Sequence, residues 1–112
     1  METILRTPEG KKIVIRPRED VCLHDAPHNP PNTGTRYISG TDLYAHKARS
    51  GKIYFYTYSW SMWQGSQDNY QLLTDEEARE FILHKAEGTG YEGLNDHDLA
   101  EEYFPHIFDE DA

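Results

Sequence analysis

Residues Arg36–Trp60 read RYISGTDLYAHKARSGKIYFYTYSW. Side chains of opposite character alternate on both sides of Ala48-Arg49-Ser50-Gly51, and a period of two marks a strand. The runs Arg36 to Lys47 and Lys52 to Trp60 therefore predict an antiparallel hairpin. With Gly51 in the left-handed position of a short loop, Ala48 faces Lys52 and the register of the whole pair follows. One face then carries Leu43, Ala45, Ile53 and Phe55, with Thr41, Thr57 and Ser59 at its far end. The other carries Asp42, Tyr44, His46, Tyr54, Tyr56, Tyr58 and Trp60, with Gly40 opposite Trp60.

Working outward, Ile4-Leu5 and Ile13-Val14-Ile15 flank Thr7-Pro8-Glu9-Gly10, where Pro presets φ and Gly accepts a positive one, so a second hairpin is expected. Residues 17–35 are rich in Pro and lack periodicity, and they read as one long loop. Asn69 to Leu73 is suited to a further short strand. Thr74-Asp75-Glu76-Glu77 forms a capping box, and Ala78, Phe81, Ile82 and Ala86 follow at helical spacing until Gly88. A shorter helix is expected from an Asn95 cap through Leu99 and Tyr103 to Pro105, followed by an acidic tail at 109–112.

The predicted fold is thus a single α+β domain over residues 1–112. It is a small antiparallel sheet of about four to five strands, built from two hairpins, with one main C-terminal helix packed on one face and a second short helix. Leu43, Ile53 and Phe55 are expected to meet Phe81 and Ile82, together with Leu5, Ile13 and Ile15 from the first hairpin.

The net charge of −9 conceals a division. Through Trp63 there are nine Lys and Arg against six Asp and Glu, and from Gln64 onward two against fourteen. The acidic half opposes binding to nucleic acid. No apolar run approaches the ~20 residues needed to span a bilayer. The opening METILRTPEGKK lacks the order of a secretory signal, and Cys22, the only cysteine, has no internal partner for a disulfide. A cytoplasmic location, with no membrane association, is expected.

Cys22, His24, Asp25 and His28 bring four ligand-competent side chains into one loop, which makes them the candidate site for zinc or another transition metal. The same loop is where a thiol nucleophile with a histidine base would sit. Tyr44, His46, Tyr54, Tyr56, Tyr58 and Trp60 share a strand face suited to a protein partner, to self-association or to stacking bases, or else to serve as a second core layer covered by the N-terminal hairpin or the short C-terminal helix. Lys47, Arg49 and Lys52 beside them offer a few cations for phosphates. Residues 88–93, GTGYEG, spell a dinucleotide fingerprint but follow a helix instead of a buried strand, so they read as a connector. No catalytic constellation is visible along the chain. The favoured expectation is a non-catalytic binding or regulatory module using the aromatic face. The alternatives are a metal-dependent or thiol-based small enzyme at the Cys22 loop and a single-stranded nucleic-acid binder.

Overall fold

The computed structural model describes residues 3–26, 39–61, 69–88, 94 and 96–109. Along the chain run β1 (Thr3–Arg6), β2 (Lys12–Ile15), β3 (Val21–His24), β4 (Ser39–Lys47), β5 (Ile53–Ser61), β6 (Asn69–Leu73), α1 (Asp75–Ala86) and α2 (His97–Tyr103). β1 and β2 make a two-stranded antiparallel sheet, and the order β3-β4-β5-β6 makes a four-stranded one. This is the expected α+β class, with two sheets instead of one. Among the described residues no helix is long and apolar enough to cross a membrane.

The central hairpin holds the register read from its turn. Gly51 has φ 92°, its amide donates to the Ala48 carbonyl at 2.9 Å, and the Ala48 amide donates to the Lys52 carbonyl at 2.9 Å. From there Lys47 faces Ile53, Tyr44 faces Tyr56 and Gly40 faces Trp60. Gly51 is needed because a side chain at that φ meets its own carbonyl. β6 forms over the expected residues and pairs with β5.

Residues 21–24 are not loop, contrary to the expectation for 17–35: they form the edge strand β3, antiparallel to β4. Their pattern is hard to read because of a bulge. Cys22 faces Tyr44 and His24 faces Leu43, so two residues on one strand advance the partner by one. Leu23 consequently joins the helix-side core, and His24 lies edge-on to Phe81 at 5.8 Å between ring centroids. Residues 27–35 of the expected loop lie outside the described residues, as do residues 89–93 and the tail from 110.

α1 opens on the expected capping box. The Glu77 amide donates to the Thr74 hydroxyl at 3.1 Å, and the Thr74 amide donates to the Glu77 carboxylate at 2.9 Å. α2 is capped by Asp96, one residue beyond the expected Asn95, with the Leu99 amide donating to its carboxylate at 3.0 Å. Both helices cover the face of Leu43, Ala45 and Phe55, where Ala78, Ile82, Leu94, Ala100 and Ile107 complete a buried cluster.

The N-terminal hairpin does not join that layer. Ile13 and Ile15, with Leu5 beside them, pack on Tyr44, Tyr54, Tyr56, Tyr70 and Leu72, on the opposite face of the sheet. The helix layer already occupies the Leu43 face, so the tyrosine face is the apolar surface left for the hairpin. The result is three layers: hairpin, four-stranded sheet, helices.

Asp42 ties the end of β3 to β5. One of its carboxylate oxygens accepts from the Ala26 amide at 2.8 Å and from the Trp60 indole at 3.1 Å, both buried. Gly40 lies between these groups: a Cβ there would come within 2.7 Å of the Ala26 Cβ and 2.8 Å of a Trp60 ring carbon. Gly40→Ala is therefore expected to cost about 1–3 kcal/mol by overpacking. Urea denaturation checks this, and an unchanged midpoint would mean that Ala26 and the indole separate freely.

Candidate anion-binding cleft

Where the N-terminal hairpin meets the tyrosine face, three segments converge on one carboxylate. The chain leaves β2 through a tight turn in which the Glu19 and Asp20 amides both donate to the Arg16 carbonyl at 2.8 Å. Asp20 closes that turn by accepting from the Arg16 amide at 3.0 Å. The same oxygen accepts from the Tyr56 hydroxyl at 2.7 Å, and the other pairs with His46 Nδ1 at 2.9 Å. The side chains of His46 and Asp20 are only 16% and 8% exposed. Tyr56 is fully buried, and burial, followed by its bond to Asp20, pushes its phenol far above the usual range. It stays a neutral donor.

An ionised carboxylate only accepts, so in this geometry His46 donates a hydrogen bond from Nδ1–H to Asp20. The ring is held in one orientation, and that bond leaves its second nitrogen, Nε2, unused. His46 lines a cleft of about 420 Å³ between β2 and the β4–β5 turn. Lys12, Arg16, Lys47 and Arg49 line it too, with Ile13, Val14 and Ala48 as its apolar wall. Arg16 also reaches Glu19 at 3.6 Å, an exposed pair one turn away. Lys52 belongs elsewhere, with its ammonium 5.0 Å from the centre of the Tyr54 ring.

Like charges lining one cleft repel each other and focus a positive field within it. The helices, with Asp75, Glu76 and Glu77 in the first turn of α1, pack on the other face of the sheet.

The residues singled out in the sequence meet varied fates. Tyr56 is core and Trp60 is 8% exposed, so the middle and one end of the aromatic face are closed. Tyr44 stacks on Tyr56 at 5.2 Å, Tyr54 lies under Lys52, and Tyr58 stacks on Tyr70 at 4.8 Å; all three singled-out tyrosines are half-buried. Of that set, His46 reaches the cleft.

The four proposed metal ligands do not converge among the described residues. Cys22 opposes Tyr44 and His24 opposes Leu43, which places them on opposite faces of the sheet. Asp25 is exposed, and His28 lies outside the described residues. Among the described residues, no group of three His, Cys, Asp or Glu could hold a metal ion. Burial, then the charges of Asp25 and Asp42, push the Cys22 thiol up to about 11, so it is protonated near neutrality and a poor nucleophile.

Asp20, Lys12 and Arg16 were not anticipated. One clue was present: the register places His46 and Tyr56 on the same face, and a buried phenol needs an acceptor. No family model matches the chain, and neither a curated protein nor a solved structure matches it.

Proposed function

We propose that this protein is a small non-catalytic binding module whose ligand is anionic and is held in the cleft between β2 and the β4–β5 turn. The observation that carries the reading is His46, fixed by the buried Asp20, facing a cleft it shares with Lys12, Arg16, Lys47 and Arg49. In a chain of net charge −9 this gathering of cations raises the local concentration of anions and opposes the repulsion of the acidic helices. Among the described residues the lining carries no hydroxyl, thiol or carboxylate side chain, which supports retention of the ligand over its turnover. The reading keeps the binding class expected from the sequence. It moves the contact surface from the centre of the aromatic face to the edge where His46 lies.

Amide chemical shifts recorded during titration with phosphate, sulfate and citrate at low salt test it. Shifts are expected in β2 and residues 46–49, and they should weaken as salt rises. The double variant Lys47→Glu/Arg49→Glu should bind about tenfold or more weakly, which corresponds to about 1.4 kcal/mol or more. If none of the three anions moves those amides, the cleft is not a binding site.

A further inference from the structure

We infer that the group the cleft recognises is a phosphomonoester, a compact anion that keeps an exchangeable proton, and not a nucleic-acid strand. The inference rests on the reading of the cleft as an anion site and narrows it by chemistry and size. A volume of about 420 Å³ lies toward the small end of ligand pockets and suits one phosphate with a short organic group. The guanidinium of Arg49 offers a forked donor that matches phosphate oxygens, and Lys12, Arg16 and Lys47 add positive charge to the lining.

His46 sets the choice among anions. With Nδ1–H donating to Asp20, Nε2 accepts a hydrogen bond when the ring is neutral and donates one when the ring is charged. Every other charged group in the lining only donates. A phosphomonoester, whose second ionisation falls near pH 6, can present either a P–OH or a bare oxygen to Nε2. Phosphodiesters and sulfate esters carry a single charge and no such proton, so against a neutral ring they leave one oxygen facing a lone pair.

Nucleic acid would need stacking platforms beside the cations. The stacked pair Tyr58–Tyr70 lies toward the opposite end of β5, four residues beyond Tyr54, which is about 13 Å along a strand. Tyr56, nearer the cleft, is covered by Ile13 and Ile15.

The test compares phosphoserine, O-sulfoserine and a thymidine octamer without terminal phosphates, by calorimetry at low salt, on the wild type, His46→Gln and Lys47→Glu. Phosphoserine is given both as the free amino acid and within a short neutral peptide, so that preference for one identifies a metabolite or a modified protein as the source. Phosphoserine in one of these forms is expected to bind about tenfold more tightly than O-sulfoserine, a gap of about 1.4 kcal/mol, and more tightly than the octamer. His46→Gln should erase the phosphate-over-sulfate preference while retaining weak binding, and Lys47→Glu should weaken both ligands. Equal binding of phosphate and sulfate esters, or tighter binding of the octamer, with the Lys47→Glu loss intact, overturns the inference and leaves the anion cleft standing. No binding by any probe overturns both. Asp20→Asn is left out of the deciding set because Asp20 also holds the turn and Tyr56, so its loss can act through folding.

Discussion

Tyr56→Ala is expected to remove about 3–5 kcal/mol of stability, the range for truncating a large buried aromatic. A domain of this size has a total of the order of 5–15 kcal/mol, so this one truncation removes a large share of it. Three losses combine in that figure. The ring is fully buried between the sheet and the hairpin residues Ile13 and Ile15. It stacks on Tyr44 at 5.2 Å. Its hydroxyl donates to Asp20 at 2.7 Å, and removing it leaves a buried carboxylate short of a donor. Tyr56→Phe separates the terms: it keeps the ring and loses the bond, at a cost of about 1.5–3 kcal/mol for a hydrogen bond to a charged group. Urea denaturation of both variants beside Tyr58→Ala, at a half-buried ring, is the measurement. A Tyr56→Ala protein with an unchanged midpoint would mean that the hairpin does not close over this face.

The second large effect is acid sensitivity at His24. His24 is 1% exposed, and among the described residues neither ring nitrogen has a hydrogen-bond partner. Burial, aided by the nearby Lys85 charge and opposed by Asp25, lowers it from 6.5 to about 4. The unfolded chain therefore takes up this proton first as pH falls. The stability associated with a neutral His24 is fully present above about pH 6.5, is lost as pH falls through about 4, and is level below that. The loss comes to about 3 kcal/mol. Other groups titrate over the same range, so the informative quantity is the difference between the wild type and His24→Leu. That difference should change by about 3 kcal/mol between pH 7 and pH 4, in favour of the variant at low pH. At neutral pH His24→Leu should already be neutral or stabilising, since it removes two unpaired polar atoms and keeps apolar volume beside Phe81. A constant difference across that range would show that the ring is solvated or paired.

The parts whose physics is local were legible in the chain. The Ala48–Gly51 turn sets the β4–β5 register because a left-handed glycine admits only one closure of that loop. The Thr74–Glu77 box sets the start of α1 because the two groups that satisfy the free amides are three residues apart. Both faces of the central hairpin, and hence the shared face of His46 and Tyr56, follow from alternation alone.

Tertiary structure decided the rest. Leu5, Ile13 and Ile15 make one side of the first hairpin apolar, but nothing in that side says which face of the sheet it will cover. That was settled by competition with helices encoded some seventy residues later, which fill the Leu43 face and leave the tyrosines. β3 escaped notice because its bulge breaks the alternation that would have announced it. The cleft itself was not legible, since Lys12 and Arg16 reach Lys47 and Arg49 only through the docking of β2. Asp20 makes the same point most sharply. In the chain it is one carboxylate in a proline-rich stretch, and it becomes the partner of His46 and Tyr56 only when the turn after β2 docks on the tyrosine face, where the buried phenol needs an acceptor.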